Sequence, residues 1–330
     1  MKHKDLPFRK GEKMKVSKSV LAGVLSFFAV GAMAQSTRIT YKSAKSTSSY
    51  YQMAVQLGEE INRVSNDSIK FTIEESQGSV QNVKEARKRK GNYVFTTPPV
   101  LVKLALKQKA MFKKDNPKDY ENIRALFPIP FLTMHFVVRA DSGVKSFKDL
   151  QGKSLLIGKG SFGAKEAKKY MKLFGLKDKV KLINAELSGA VAALKNGQVD
   201  GFATAGSYPA PNVIEASATT KINLLSMSDE QIKMTKRDKL VIPAGTYKGV
   251  DYDVSTTTLP VGVYTTTNMD EKVAYALTKA FWKAKPKLEQ KSQWWKAITP
   301  DSIRMFHIKL HKGAIKYYKE LGVKIPKNLQ

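Results

Sequence analysis

Two separate runs of alternating strand and helix constrain this chain of 330 residues more than any other feature of it. In the first, residues 38–41 (RITY) read as a strand, and a polar loop of lysine, serine and threonine leads into Tyr50-Tyr51. From there Met53, Val55, Leu57, Ile61 and Val64 take helical spacing. Residues 68–74 (SIKFTIE) alternate as a second strand, the loop SQGS (76–79) opens a short basic helix, and Tyr93-Val94-Phe95 gives a third strand. The second run starts at 154–157, passes through a glycine loop (158–163), a helix to Phe174, a strand at 180–183 and a helix at 189–196, and ends in a strand at 201–204. Strand-helix alternation of this kind implies parallel α/β sheets, and two blocks imply two α/β lobes.

Between the blocks, a helix is expected from Pro98-Pro99 to about Phe112, then a proline-punctuated strand or loop at 124–131 and an apolar run at 134–138. After the second block, a strand is expected near 259–264 and a helix near 270–285. A further helix, or a broken pair, should run from the Thr299-Pro300-Asp301 start to Leu321.

The first 34 residues do not belong to this pattern. Lys15 and Lys18 precede an apolar run from Val20 to Val30, and Ala32-Met33-Ala34 forms a small-x-small triplet before Gln35. This is the layout of an export signal starting near Met14 and cut after Ala34; the run is shorter than the roughly 20 apolar residues a membrane span needs. The remaining 296 residues, 330 less 34, suffice for two domains. There is no cysteine, so disulfides, thiolate-bound zinc and cysteine nucleophiles are excluded.

The formal charge is +29. Residues 1–34 hold seven Lys/Arg against Asp5 and Glu12, which leaves +24 for the exported part. The basic residues are spread along the chain, with one dense cluster at 84–90 (KEARKRK). That spread reads as a solvated basic surface, with attraction to an anionic envelope or partner as the alternative; no nucleic-acid partner is expected, since export argues against one.

The sharpest motif is GKGSFG at 158–163, which satisfies G-x-G-x-x-G between a strand and a helix. With Glu186 after the next strand in the place of a ribose ligand, it allows a nicotinamide oxidoreductase. Export and the mid-chain position of the unit weigh against that. The same physics serves a carboxylate, because glycines expose backbone N–H groups and a helix N-terminus favours negative charge. Gly78-Ser79 repeats the arrangement in the first block. Two such loops could face one ligand across a cleft. No G-x-S-x-G elbow occurs, and four histidines leave little for base catalysis. His307 and His311 lack the glutamate of H-E-x-x-H and read as structural or surface residues. Tyr50 and Tyr51 lie at the helix-opening end of a strand loop, where parallel sheets bind ligands.

Taken together, Tyr50-Tyr51, GSVQN (78–82), DLQGKSLLIG (149–158), ALKNGQVDGF (193–202), IPAGTY (242–247) and LHKGAIKYYKELG (310–322) resemble the TAXI-type solute receptors of tripartite ATP-independent periplasmic (TRAP) transporters. The resemblance implies a two-lobed periplasmic binding protein of type II-like α/β fold, not an enzyme, with no cofactor or metal. It further implies a ligand in an interlobe cleft, TRAP membrane subunits as partners, and a monomer working in the periplasm. Lobe 1 would comprise 35–138 and 256–330, and lobe 2 would comprise 139–255. Carried over by motif, the cleft would include Ser48, Ser49, Tyr50, Ser79, Asn82, Thr96, Thr97, Ser161, Phe162 and Tyr208. Hydroxyls and loop N–H groups would hold carboxylate oxygens, and Tyr50 or Tyr208 would cover the ligand's carbon chain and donate an O–H. Lys45, Lys159 and Lys165 could supply positive charge. The ligands implied are glutamate and related dicarboxylates. Thr96-Thr97-Pro98 stands where an acidic residue is common, which favours a keto or dicarboxylic acid over glutamate.

Overall fold

The computed structural model describes residues 36–330; the expected export signal and the extension before it lie outside the described residues. The first block folds as read: β1 (Thr37–Lys42), α1 (Ser49–Val64), β2 (Ile69–Glu74), α2 (Ser79–Ala86) and β3 (Tyr93–Thr97). β1 pairs in parallel with both β2 and β3. Pro98-Pro99 then start α3 (Pro99–Leu106), where the first turn has no use for the missing N–H groups. α3 is shorter than expected and yields to a separate single turn at 110–112.

The largest departure from the sequence reading follows. Residues 123–139, read as a broken strand or loop plus an apolar run, form one 17-residue strand, β4 (Ile123–Arg139), buried almost throughout. Its partner β10 (Val254–Thr266) is antiparallel to it, so the sheet is mixed and not parallel. Of the two prolines that argued for a break, Pro128 is paired with Gly262 and Pro130 sits where the ladder is irregular. The pairing slips between Leu259 and Val261, opposite Pro130 and beside Pro260, residues with no N–H to contribute.

Between the long strands lies the second block: β5 (Ser154–Gly158), α4 (Phe162–Leu173), β6 (Lys181–Ala185), α5 (Ala190–Lys195) and β7 (Gly201–Gly206). β5 pairs in parallel with β6 and β7. Four short elements had no clear sequence signal: α6 (Pro211–Thr219), β8 (Ile222–Leu224), α7 (Asp229–Thr235) and β9 (Asp238–Ile242). The chain ends with α8 (Glu271–Lys291), one tight turn at 300–305 and α9 (Lys312–Glu320), so the helix expected from Thr299 is a broken pair.

The result is an α/β fold of two lobes on one curled sheet, in the order β2-β1-β3-β10-β4-β7-β5-β6. β4 pairs with β10 from Ile123 to Thr133, then with β7 and β8 from Thr133 to Arg139. β10 changes partners in the same place, pairing with β9 up to Thr258 and with β3 and β4 beyond it. Thr133 and Thr258 oppose each other. Two long strands thus carry the chain from one half of the sheet to the other.

Each half is covered on both faces. Leu155 and Ile157 of β5 join a core that runs from Ile39 to Leu329, whereas Leu156 joins a second cluster with Val191, Phe202, Val213 and Tyr247. Alternate residues of one strand therefore serve opposite cores.

Candidate functional site

Three helix N-termini border one cavity, two from the first half and one from the second. Ser48 caps α1, its Oγ accepting from the Tyr51 N–H at 3.2 Å. Gly78 precedes α2 at φ +107°, a conformation that favours glycine. Ser161 caps α4, its Oγ accepting from the Ala164 N–H at 3.0 Å and donating to the Gly158 carbonyl at 2.7 Å. The first-turn N–H groups of a helix lack intrahelical partners and carry partial positive charge.

The cavity these helices border has a volume of about 60 Å³. Its lining combines Ala44, Lys45, Ser48, Tyr50, Gln77, Gly78 and Ser79 with Gly158, Lys159, Ser161, Phe162, Gly163, Leu187, Thr204 and Ala205, and Leu132 of β4 lies between the two sets. Hydroxyls build the near wall. Ser76 donates to the Ser43 carbonyl at 3.0 Å and accepts from the Gly78 N–H at 2.9 Å, tying the loop before α1 to the loop before α2. Ser46 also bonds Glu75, and its side-chain and backbone hydrogen bonds hold that carboxyl below its usual range.

The glycine motif at 158–163 has a packing explanation. Gly160 adopts φ +72°, and a Cβ on Gly163 would lie 2.8 Å from that of Ala205, so the α4 N-terminus sits directly on β7. Glu186, expected in a ribose position, stands at the cavity rim. Its carboxylate lies 3.4 Å from Lys45 Nζ and accepts from Gln77 Nε2 at 3.4 Å. Both partners belong to the opposite half of the sheet.

Of the ten residues expected from sequence, Ser48, Tyr50, Ser79, Ser161 and Phe162 line this cavity. Tyr50 presents its ring there, but its hydroxyl donates to the Pro130 carbonyl at 3.1 Å, and burial holds it protonated. Ser49 lies behind the cavity, where its Oγ accepts from the Ser207 N–H at 2.8 Å. The other four lie outside the lining. Asn82 is fully buried, and its amide donates to the carbonyls of Ser43 (2.7 Å) and Thr96 (2.9 Å). The Thr96 hydroxyl pairs with Tyr41 at 2.8 Å, and Thr97 Oγ1 lies against the Pro98 carbonyl at 3.4 Å. Tyr208 borders a different cavity, with Phe131, Leu240 and Trp294.

Sequence reasoning did not single out Ala44, Gln77, Leu132, Leu187, Thr204 or Ala205. Gln77 lies inside the flagged SQGS loop, and Leu187 and Thr204 lie at carboxyl ends of parallel strands, where ligands gather. Leu132 had no such signal.

Among the described residues no group of three or more His, Cys, Asp or Glu side chains could hold a metal ion, and no helix is long and apolar enough to cross a membrane. His311 caps α9, accepting from the Gly313 N–H at 3.2 Å, with Nε2 3.1 Å from the Met269 carbonyl. That is a structural role, in line with the sequence reading.

The model of the NMT1-like family matches residues 42–322. Among solved structures, the periplasmic binding protein BugD is similar over 87% of this chain and 98% of its own, at 13% identity and a TM-score of 0.55. A structure described as a periplasmic transporter covers 88% of this chain and 94% of its own at 12% identity and a TM-score of 0.56. MatC from Rhodopseudomonas palustris with bound malate covers 76% and 85% at 12% identity and a TM-score of 0.52. These likenesses establish a shared solute-binding-protein fold.

Proposed function

We propose that this chain, which belongs to the NMT1-like family, is an exported receptor that captures a small carboxylate between its lobes and hands it to a TRAP-type membrane complex. The observation that carries this reading is the convergence of three helix N-termini on one cavity built from both halves of the sheet. Carboxylate oxygens suit such a setting, since each can accept from free N–H groups whose dipoles favour the charge. MatC, of similar fold, was solved with malate, an acid of the class proposed.

Lobe 1 is taken as 35–138 with 256–330, and lobe 2 as 139–255. The exchange of strand partners at Thr133 and Thr258 supports this division, because it falls a few residues inside those boundaries. The TAXI subtype and the TRAP partner rest on the motif resemblance. Work in the periplasm rests on the export signal at 14–34. The receptor acts as a monomer without cofactor and performs no reaction.

A thermal-shift screen of the purified protein against small carboxylates and amino acids tests the reading. A ligand that binds only the folded state raises its stability by RT ln(1 + [L]/Kd), about 2.7 kcal/mol at one hundred times Kd. At least one dicarboxylate, keto acid or glutamate-like acid should raise the transition, and silence across the panel would end the carboxylate claim.

A further inference from the structure

We infer that the cleft selects a monocarboxylate with a compact apolar body, and that Glu186 is the residue setting this choice. The inference rests on the carboxylate-receptor reading and narrows it. Two cations, Lys45 and Lys159, line the cavity. Lys45 is already answered by Glu186 at 3.4 Å. Lys159 has no carboxylate partner among the described residues. One unpaired lysine and three helix N-termini therefore remain, a complement suited to a single ligand carboxylate.

The rest of the wall offers a second carboxylate no cation: beside the hydroxyls of Ser48, Ser79, Ser161 and Thr204 it is largely apolar. Ala44, Leu132, Phe162, Leu187 and Ala205 are apolar. A carboxylate pressed against them would lose its hydration with no partner in return. At the rim it would meet Glu186, which occupies the lysine such a group needs. An amino acid fares no better. The Tyr50 hydroxyl is donated to Pro130, and the carboxylate at the rim is held by Lys45 and Gln77. The ammonium is left without a free carboxylate, since no Asp or Glu lines the cavity.

Glu186 also bridges the two halves of the sheet. It belongs to the segment after β6, whereas Lys45 and Gln77 belong to the loops before α1 and α2. Replacing its carboxylate by an amide keeps the shape and the contact with Gln77 but releases Lys45 and removes the rim's negative charge. The site would then offer a second carboxylate a partner.

The test is calorimetric titration of propionate, pyruvate, succinate and glutamate into wild type, Glu186→Gln and the double variant Glu186→Gln/Lys45→Met. Wild type is expected to bind propionate or pyruvate at least about tenfold more tightly than succinate or glutamate. In Glu186→Gln, succinate should tighten by about tenfold while propionate changes by less than about threefold. Adding Lys45→Met should cancel the succinate gain. Succinate equal to propionate in wild type, or a ratio unmoved by Glu186→Gln, overturns the inference while leaving a carboxylate receptor in place. If neither these acids nor any other carboxylate binds any of the three proteins, the receptor reading itself falls and takes the inference with it.

Discussion

Acidification should weaken this fold through one buried imidazole, at a position that bears on the cleft. His135 of β4 is 1% exposed, its Nδ1 3.2 Å from the Thr133 carbonyl and its Nε2 2.8 Å from the Tyr247 hydroxyl. The Thr133 carbonyl can only accept, so the neutral ring carries its proton on Nδ1, and the Tyr247 hydroxyl, which accepts from the Ala210 N–H at 2.8 Å, donates to Nε2. Burial pushes the ring's pKa down from 6.5 to about 4. Between those values the unfolded chain takes up a proton that the folded chain refuses, so stability rises with pH across the window and is lost as pH falls through it. At 1.36 kcal/mol per pH unit, acidification from pH 7 to pH 4.5 should remove about 2–3 kcal/mol through this group alone.

His135→Gln removes the titration. The assay is urea unfolding followed by tryptophan fluorescence at both pH values, for wild type and variant. The variant can be less stable at pH 7, since it disturbs the hydrogen bonds to Thr133 and Tyr247. What matters is the difference of differences: wild type should lose about 2–3 kcal/mol more than the variant on acidification. Equal losses would refute the assignment of a buried neutral histidine. The Tyr247 hydroxyl also holds the chain just beyond Ser207, whose N–H binds Ser49 behind the cavity, so ligand affinity of the folded protein should hold across this window and weaken only as pH falls below about 4, where the folded ring itself takes up a proton.

Two substitutions probe how the halves meet. A Cβ at Gly206 would lie 2.5 Å from Ser49 Oγ, so Gly206→Ala should displace that hydroxyl from the Ser207 N–H it binds across α1 and the end of β7, lowering stability by about 1–3 kcal/mol. It should also weaken ligand binding by calorimetry, and unchanged affinity would mean the halves do not close on the ligand there. Ser161→Ala deletes the α4 cap and should destabilise by about 1 kcal/mol in urea unfolding, together with a loss of ligand affinity that Ser161→Thr restores.

The legible part of the candidate site was its loops. Ser48, Ser79 and Ser161 could be found because each stands where a strand gives way to a helix, and that junction has a local signature of small residues, hydroxyls and glycine. The parts not legible depend on contacts distant in sequence. Nothing in the string around Asn82 or Thr96 says that their polar groups face Ser43 and Tyr41. A hydroxyl that binds a ligand and one that satisfies a buried carbonyl look alike until the partner is known. Lys45 is the same case: its place near the loops made it a possible source of positive charge, and only the fold sets Glu186, far along the chain, against it.

By itself, the sequence determined the two α/β blocks, the helix starts that border the cavity and the lack of any thiol or disulfide chemistry, because these depend on composition and on periodicity over a few residues. Tertiary structure alone decided that 123–139 is a single strand, that the sheet is mixed, and which hydroxyls and charges remain free at the cleft. An apolar run with prolines is compatible with a loop or a strand until a partner supplies the other half of its hydrogen bonds. Here that partner is β10, more than a hundred residues away, and its pairing with β4 joins the two halves around the cavity.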